Sequence, residues 1–341
     1  MIGFGNVAQE FCRLLLTKKD WMAKQKGLEV EVLAVATRSK GSLLSRKALD
    51  LDRLLYLAGS GESLAKYGPE KTRLSPVEII RECDADVLVE LSTLNIESGQ
   101  PAIDHIKRAM ESGLDVITAN KGPVAFAYKE LRNLSRAKGV HFRFEGTVMD
   151  GTPVFSLVER TLPACKVVSL TGVLNSTSNF VLTEMAKGSS MIDAIGLAQE
   201  AGFAEAEPTL DIDGWDAAAK IAALANVMMD ANTNPKKVKR AGIRNITPKD
   251  ISDAAAEGKR IRPMARARNY DGQIELEVAP ERIGSDSLFY TLEGTSSALT
   301  ITSDLMGDIT IAGGSPMLGQ TAYAVFSDLL LILESIRSGA V

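Results

Sequence analysis

Residues 3–8 read Gly3-Phe4-Gly5-Asn6-Val7-Ala8, which matches the dinucleotide-binding pattern G-x-G-x-x-G/A. The first glycine allows a tight turn, the second lets the backbone approach a pyrophosphate, and the small Ala8 lets a helix pack closely. We predict this helix over 9–17, with the positive end of its dipole toward the phosphates. The pattern begins at residue 3, so the strand that normally precedes it is almost missing. We therefore expect that the native start lies upstream.

The first third of the chain alternates short apolar runs with helical patterns. We predict strands at 30–36, 87–91 and 115–119, and helices at 101–112 and 128–138. Such alternation is typical of a parallel sheet with helices on both faces. The predicted fold class is therefore α/β, a Rossmann-type doubly wound sheet whose first strand is truncated.

After residue 140 the pattern changes to that of a different sheet. We predict strands at 140–147, 154–158, 166–174, 274–278 and 299–302, and helices at 176–186, 191–202 and 320–337. The mixture indicates a second, α+β domain at 141–311. We expect this domain to bind the substrate and to form the dimer interface. The first domain then comprises 1–140 and is completed by 312–341, because the last helix is apolar enough to pack back onto it.

Composition excludes several classes of protein. The chain has 341 residues, 45% of them hydrophobic, and a net charge of −4, which gives no reason to expect nucleic acid as a partner. Its longest apolar runs are shorter than the roughly 18 residues of a membrane span. Cys12, Cys83 and Cys165 lack metal-ligand spacing and indicate a reducing compartment. We therefore expect a cytoplasmic protein without a zinc centre.

We expect structural rather than catalytic roles for the two histidines and for a group of four arginines. We expect His105 on a helix surface and His141 at a strand edge. Arg260, Arg262, Arg266 and Arg268 are expected to form an exposed basic segment.

The turn after the second predicted strand bears on cofactor choice. A carboxylate there would accept hydrogen bonds from a ribose 2′-hydroxyl and repel a 2′-phosphate. The sequence has Thr37-Arg38-Ser39-Lys40 instead, and the planar fork of Arg38 can bind a phosphate while Lys40 adds charge. These residues favour NADP over NAD. A solvated basic turn is the alternative.

The segment from Glu205 to Lys220 carries five carboxylates and one lysine within sixteen residues. We predict that a helix starts here with Asp213 as its N-cap. Asp216 and Lys220 are then one turn apart on one face, which also carries Ala223. A charged pair among core positions costs desolvation energy, so we expect it to serve chemistry. A solvated ion pair is the alternative.

Five motifs carry a family resemblance. They are GFGNVA (3–8), TANKGP (118–123), FEGTVMDGTP (144–153), GVLNSTSNFVLT (172–183) and GFAEAEPTLDIDGWDAAAK (202–220). In this order they resemble homoserine dehydrogenase over nearly the whole chain. The resemblance implies NAD(P)-dependent interconversion of L-homoserine and L-aspartate 4-semialdehyde, on the route to threonine, methionine and isoleucine. Reduction would be the physiological direction.

The resemblance also implies roles for matching residues. Lys220 would meet the carbonyl oxygen, with Asp216 holding its ammonium in place, and Lys121 would lie beside the nicotinamide and the reacting carbon. A protonated lysine can stabilise charge on the carbonyl oxygen and then neutralise it. The implied substrate-binding residues are Glu205, which would take the amino group, Asp211, Asn175, Ser176 and Thr177.

The remaining implied sites bind the cofactor and a cation. The cofactor loop comprises Gly3, Phe4, Gly5, Asn6 and Val7, with Arg38, Ser39 and Lys40 at the ribose. Ser92 and Thr93 match the turn that contacts the nicotinamide. Glu145 with the backbone carbonyls of Val148, Asp150 and Thr152 matches a sodium-binding turn.

Our leading hypothesis is an NADP-preferring homoserine dehydrogenase that forms a homodimer through the sheet of its second domain. An oxidoreductase of the same scaffold that acts on another small amino or hydroxy acid is one alternative. A catalytically silent NADP-binding sensor is the other, although a sensor would not need both Lys121 and Lys220. Because the chain ends at residue 341, we expect no appended regulatory ACT domain.

Overall fold

The computed structural model describes residues 1–339, so the last two residues of the predicted first domain lie outside the described part. It divides into two compact units. The first contains residues 1–153 and resumes at Met317, and the second is Val154–Pro316. The boundaries predicted from the sequence are 140 and 311. Within residues 1–339, no helix combines the length and low polarity that a membrane span requires.

Residues 1–339 contain twelve α-helices and twelve strands, numbered in chain order, besides short 3₁₀ and π-helical segments. The helices are α1 (Asn6–Trp21), α2 (Leu51–Gly59), α3 (Pro76–Glu82), α4 (Ala102–Glu111), α5 (Lys121–Lys138), α6 (Val154–Thr161), α7 (Ser176–Ala186), α8 (Met191–Glu200), α9 (Thr209–Ile212), α10 (Trp215–Met228), α11 (Pro248–Ala256) and α12 (Leu318–Ser338). The strands are β1 (Ala34–Ala36), β2 (Ser42–Leu44), β3 (Lys71–Thr72), β4 (Val87–Glu90), β5 (Asp115–Thr118), β6 (Phe142–Arg143), β7 (Val167–Val173), β8 (Lys239–Arg240), β9 (Arg260–Tyr270), β10 (Gln273–Ile283), β11 (Ser297–Ser303) and β12 (Gly307–Gly313).

The first unit is built on a sheet in which Ile2 takes the central place. Strands β4, β5 and β6 are parallel, and β1 leads into the antiparallel β2 and β3. Ile2 joins the two groups through parallel bridges to Ala36 and Glu90. Helix α1 packs its buried residues Ala8, Phe11, Cys12 and Leu15 at helical spacing into the core. The predicted Rossmann-type α/β fold is therefore present.

Ile2 supplies a single rung of that central position. Its N–H donates to the Val89 carbonyl at 2.9 Å, and its carbonyl accepts from Leu91 N–H at 2.7 Å. Beside it lies a cavity of about 550 Å³, lined mainly by apolar side chains of residues 28–34 and 79–89 and of α1 and α12. The predicted strand 30–36 is a strand only over Ala34–Ala36, because residues 30–33 line this cavity rather than pair with a neighbouring strand on that side.

The second unit contains a six-stranded sheet in the order β12-β11-β7-β9-β10-β8. All neighbours are antiparallel except β10 and β8. Leu170 and Ile301 pair across β7 and β11 and are fully buried, as are Met264 and Ala265 on β9. Leu170, Ile301 and Ala265 belong to one buried row, whereas Met264 points to the opposite face and is buried there with Val173 and Phe289. Helices α7, α8 and α10 supply the apolar residues of the helical layer.

Two predictions of secondary structure are wrong, and one predicted helix is present but longer. Residues 154–158 form helix α6 rather than a strand, because a short apolar run does not distinguish the two states and Pro153 suits a helix start. Residues 140–147 contain only the two-residue β6 and then a 3₁₀ turn, Glu145–Thr147. The predicted helix 9–17 is longer at both ends, as α1 begins at Asn6 and ends at Trp21.

The prediction of an exposed arginine segment is confirmed only for Arg268 and is wrong for Arg262, which is buried. The segment forms β9, between β7 and β10. Arg262 is 2% exposed and donates to the carbonyls of Phe289 and Tyr290 at 3.2 and 2.9 Å, and its burial lowers the pKa of the guanidinium to about 10. Arg266 forms a two-pronged ion pair with Glu281 at 2.7 Å. These partners come from β10 and from the 3₁₀ turn at Leu288–Thr291, which are distant in sequence from the arginines, so local sequence does not reveal them.

Candidate active site

One asparagine amide holds two carboxylates together in the second unit. Asn175 precedes α7 and is 3% exposed. Its Oδ1 accepts from the Ser178 N–H at 2.7 Å and so caps the helix. Its Nδ2 donates to Asp211 Oδ1 at 2.6 Å and to Asp216 Oδ2 at 2.9 Å. Both donors of this amide are thereby committed to anions.

The predicted ion pair of α10 is present. Lys220 Nζ lies 2.9 Å from Asp216 Oδ2 and donates to the Leu174 carbonyl at 2.7 Å. The side chains of Lys220 and Asp216 are only 13% and 15% exposed, and charges interact more strongly there than in water. We call Asn175, Asp211, Asp216 and Lys220 the acid cluster.

The pKa of Asp211 in this cluster is perturbed. Burial raises the pKa of Asp211 above its ordinary value, and the nearby Asp216 carboxylate raises it further. The Asn175 amide, the Lys220 ammonium and the Thr177 hydroxyl act in the opposite direction without restoring it. Perturbed carboxyl groups of this kind are concentrated at functional sites.

The turn that leads into α10 is held by the close approach of two backbone segments, one at Asp213 and one at Gly242. Gly214 is the N-cap and has a φ of +79°, a left-handed conformation that suits glycine. A Cβ on Gly242 would lie 2.5 Å from the Asp213 Cα, so only glycine allows these two segments to meet. The Arg240 guanidinium lies 3.8 Å from the centroid of the Trp215 ring, at cation–π distance.

The predicted cap at Asp213 is therefore wrong. Gly214 occupies the cap position, and α10 has no side-chain cap hydrogen bond. The Asp213 carboxylate instead accepts from Arg244 Nε at 2.7 Å, because the left-handed Gly214 separates it from the first turn of the helix.

Three predicted substrate residues lie beside this cluster in sequence, with different environments. Glu205 is exposed in the loop between α8 and α9, and its carbonyl accepts from Gln199 Nε2 at 3.1 Å. Among the described residues, its carboxylate makes no hydrogen bond or ion pair with the acid cluster. Thr177 is buried and also donates to the Phe203 carbonyl at 3.2 Å, whereas Ser176 is half-buried at the start of α7.

In the first unit, the glycine loop has the geometry that its motif predicts. Gly3 has a φ of +89°, and a Cβ there would lie 2.5 Å from the Leu91 carbonyl carbon. Gly5 is the N-cap of α1, and a Cβ on it would meet no described atom within 4 Å. Phe4 is buried, Asn6 is exposed and Val7 is half-buried. The N-terminus of α1 therefore faces open space at Gly5.

The turn after β1 presents its basic residues to solvent. Arg38, Ser39 and Lys40 are all exposed. The turn itself is fixed, because the Thr37 hydroxyl donates to the Gly41 carbonyl at 2.7 Å and accepts from the Lys40 N–H at 2.9 Å. Its backbone is held while its side chains remain accessible.

The predicted nicotinamide turn and Lys121 follow two adjacent parallel strands. Ser92 and Thr93 come directly after β4, and Lys121 is the first residue of α5, after β5. Asn120 caps α5, its side chain accepting from the Gly122 N–H at 2.9 Å. Thr93 is exposed, and Ser92 and Lys121 are half-buried.

The predicted cation turn contains three consecutive left-handed residues. Met149, Asp150 and Gly151 have φ values of +52°, +54° and +91°, and the Thr152 N–H closes the turn on the Met149 carbonyl at 2.9 Å. Glu145 is 6% exposed. Non-glycine residues adopt this conformation at a cost of about 1–2 kcal/mol each. Within residues 1–339, no group of three His, Cys, Asp or Glu side chains is arranged to hold a metal ion.

Two family models match this chain and together cover most of it. The model described as "Homoserine dehydrogenase, NAD binding domain" matches residues 3–145, and the model described as "Homoserine dehydrogenase" matches residues 153–330. The chain belongs to the homoserine dehydrogenase family. Its glycine loop and its acid cluster fall within the first and the second match, respectively.

Named relatives agree with this family. A homoserine dehydrogenase from Sulfurisphaera tokodaii is 40% identical over 97% of this chain and 97% of its own. An NAD(+)-dependent homoserine dehydrogenase from Pseudomonas canavaninivorans is 33% identical over 98% of this chain and 96% of its own. A solved hyperthermophilic archaeal homoserine dehydrogenase mutant in complex with NADPH has a TM-score of 0.83 at 29% identity, covering 98% of this chain and 96% of that one.

Several groups that build this site were not predicted from the sequence. The Leu174 carbonyl contacts the Lys220 ammonium, and the Ser178 hydroxyl donates to Asn175 Oδ1 at 2.6 Å or to the Asp211 carbonyl at 2.9 Å. The Asn-x-x-Ser spacing at a helix start was an available signal for Ser178. The Leu174 carbonyl gives no signal in sequence.

Proposed function

We propose that this protein catalyses the NAD(P)-dependent interconversion of L-homoserine and L-aspartate 4-semialdehyde. The observation that carries the proposal is the acid cluster, in which one buried amide joins two carboxylates and an ammonium. Homoserine carries an ammonium, a carboxylate and a hydroxyl, so its site needs anionic, cationic and proton-transfer groups. The cluster offers anionic groups in its carboxylates and a proton-transfer group in Lys220.

Lys220 is the proposed proton donor to the carbonyl oxygen. Its ammonium is held by Asp216 and by the Leu174 carbonyl, so it is oriented before substrate arrives. An oriented ammonium stabilises negative charge as it develops on oxygen and then transfers a proton to it. In the oxidative direction the neutral amine accepts that proton.

The carboxylates are the proposed partners of the substrate ammonium. Asp211 belongs to the acid cluster, and Glu205 is accessible in its loop. Asn175, Ser176 and Thr177 are proposed to complete the substrate-binding wall at the start of α7. Lys121 is the proposed catalytic lysine of the first unit, where the cap at Asn120 fixes the beginning of its helix.

The glycine loop fits a nicotinamide dinucleotide. A side chain at Gly5 would project into the open space ahead of α1, where backbone N–H groups and the helix dipole favour phosphate. When bound, the cofactor supplies the hydride chemistry. Gly3, Phe4, Asn6 and Val7 with Ser92 and Thr93 are the proposed contacts.

NADP is the proposed preference, although the relatives include an NAD(+)-dependent enzyme and an NADPH complex. It is supported by the accessible Arg38, Ser39 and Lys40 on a turn with a fixed backbone. A guanidinium can donate two hydrogen bonds to one phosphate.

A monovalent cation is proposed at the turn formed by Glu145 and the carbonyls of Val148, Asp150 and Thr152. The support is that Asp150 adopts a left-handed conformation at a cost, as expected where the backbone shape itself is needed. The test is thermal unfolding in sodium chloride and in the chloride of a bulky organic cation. A higher melting temperature with sodium supports the site, and equal values contradict it.

A homodimer through the sheet of the second unit is also proposed. Thr171 lies opposite Arg266 and Thr300 on adjacent strands, and all three are half-buried. They alternate with fully buried Leu170 and Ile301, so they form the face of the sheet opposite to the buried row. Light scattering after gel filtration tests the assembly. A monomeric mass would contradict the proposed homodimer.

A cytoplasmic location of this protein stays a prediction.

The experiment for the activity is a steady-state assay of L-homoserine against related amino and hydroxy acids, run separately with NADP and NAD. Preferred turnover of L-homoserine is the expected result. Preference for another compound would favour the alternative substrate. Cofactor binding without turnover of any compound would favour the silent sensor.

A further inference from the structure

A fully buried carboxylate lies beneath the predicted nicotinamide turn. Glu90 ends β4 and has no solvent exposure. Its Oε1 accepts from the Ser92 N–H at 3.2 Å and from the Ser92 hydroxyl in a short hydrogen bond. The Thr118 hydroxyl, at the end of β5, lies 3.3 Å from Oε2 and 2.9 Å from the Glu90 carbonyl. A buried carboxylate is retained only with several such donors.

The same hydrogen bonds continue to the start of α5. The Thr118 hydroxyl accepts from the Asn120 N–H at 3.0 Å, and Asn120 Nδ2 donates to the Ser92 carbonyl at 3.0 Å. The Oδ1 of Asn120 caps α5, and that helix begins at Lys121. Glu90 therefore connects two loops that come from different strands and carry the proposed cofactor contacts and the proposed catalytic lysine.

A histidine covers another side of this carboxylate. His105 is on α4, is 5% exposed, and its Nδ1 lies 3.6 Å from Glu90 Oε1. The prediction of a helix-surface position for His105 is therefore wrong, because the apolar face of α4 turns it toward the sheet. Among the described residues, Nδ1 has no hydrogen-bond partner. A purely apolar contact between a helix and a sheet would not need a histidine at this position.

We propose that Glu90, with His105 packed against it, is a positioning residue that sets the Ser92–Thr93 turn and the start of α5 in one geometry for cofactor binding and turnover. The inference rests on the proposed function, since that function assigns roles to Ser92, Thr93 and Lys121. Glu90 acts through these residues and through Asn120. A small displacement of positioned groups costs a large factor in rate.

The test compares Glu90→Gln with the wild-type protein and with Ser135→Ala, a matched control. Ser135 is also buried in the first unit, but its hydroxyl donates within α5 to the Arg132 carbonyl. For Glu90→Gln we expect kcat about tenfold lower or more, weaker NADP binding by titration without substrate, and an unchanged KM for L-homoserine. Ser135→Ala should change none of these quantities more than about twofold. One lost hydrogen bond to a charged group is worth about tenfold or more.

A second pair of variants covers the case in which Glu90→Gln does not fold. Thr118→Val keeps the shape and removes the hydroxyl, whereas Thr118→Ser keeps the hydroxyl. We expect Thr118→Val to lower kcat and NADP affinity and Thr118→Ser to retain most of both. Equal behaviour of the two variants, or wild-type kcat and NADP affinity in Glu90→Gln, overturns the proposal.

The two proposals fail in different ways. A wild-type protein that binds NADP without oxidising L-homoserine contradicts the proposed function, while the NADP titrations still test Glu90. A wild-type protein that oxidises L-homoserine beside an equally active Glu90→Gln variant contradicts only the positioning role.

Discussion

Replacing Lys220 with methionine should affect both stability and turnover. Lys220→Met keeps the length of the side chain but removes the ammonium between the Asp216 carboxylate and the Leu174 carbonyl. Asp211 and Asp216 then share the Asn175 amide without the Lys220 ammonium. Breaking a buried ion pair costs about 3–5 kcal/mol. These side chains retain 13% and 15% exposure, so we expect a loss of about 2–3 kcal/mol.

Turnover should fall much further than stability. General acid catalysis contributes about 10²–10⁴-fold, and stabilisation of charge on oxygen adds to it. We therefore expect kcat to fall by about 10³-fold or more, with NADP binding intact. The assays are urea unfolding and the absorbance change of the nicotinamide with saturating L-homoserine.

Lys187→Met is the matched control for this variant. Lys187 is also in the second unit and pairs with Glu184 at 2.8 Å, but its side chain is 62% exposed. Exposed pairs contribute about 0–1 kcal/mol, so this variant should be close to wild type in both assays. If Lys220→Met retains more than a tenth of wild-type kcat, Lys220 is not the proton donor and the mechanism is refuted.

Four other perturbations test separate parts of the account. Arg38→Ala should weaken NADP binding by roughly 1.5–3 kcal/mol and leave NAD binding nearly unchanged in calorimetric titrations; equal losses would mean that Arg38 supports the turn instead. Adding about five apolar, β-branched residues ahead of Met1 should fill the cavity beside Ile2 and raise the free energy of unfolding by several kcal/mol, as roughly 1.5–3 kcal/mol per buried aliphatic side chain exceeds roughly 1–2 kcal/mol per residue of backbone ordering. The extension should also tighten NADP binding. If neither stability nor NADP binding improves over that of a Gly/Ser extension, the interpretation of the cavity as the place of the missing strand is contradicted. The pKa of Asp211 is raised in the folded protein, so this group contributes stability that is present below its unfolded pKa and is lost as pH rises through the folded pKa. Asp211→Asn should therefore gain melting temperature relative to wild type at pH 8 more than at pH 4, and a pH-independent difference would argue against a raised pKa. Asp150→Gly should stabilise the cation turn by about 1 kcal/mol, since it relieves a left-handed conformation, whereas an equal gain in Asp150→Ala would show that conformation is not the cause.

Elements with strong local signals were predictable from sequence. The predicted helix 176–186 has the bounds of α7, because Asn175 is an effective N-cap and the apolar residues that follow have helical spacing. Strands β4 and β5 end within one residue of their predictions. The Asp216–Lys220 pair follows directly from four-residue spacing on a helix.

The remaining features depend on contacts between distant segments. The burial of Arg262 depends on carbonyls of Phe289 and Tyr290, and that of His105 on the sheet beneath α4. The Gly214 cap depends on a left-handed turn held against Gly242. Such positions are fixed by tertiary packing, which overrides local propensity.

The most direct test of the account is the ratio of kcat/KM for L-homoserine to that for 4-hydroxybutyrate with NADP. The second compound keeps the carboxylate and the terminal hydroxyl but lacks the ammonium that Asp211 and Glu205 are proposed to bind. A site built to pair with a charged group rejects an analogue that lacks it by about 10⁴–10⁵-fold. We expect a ratio of at least about 10³ in the wild-type protein. A ratio near one would mean that the acid cluster does not bind the substrate ammonium, and would contradict the account.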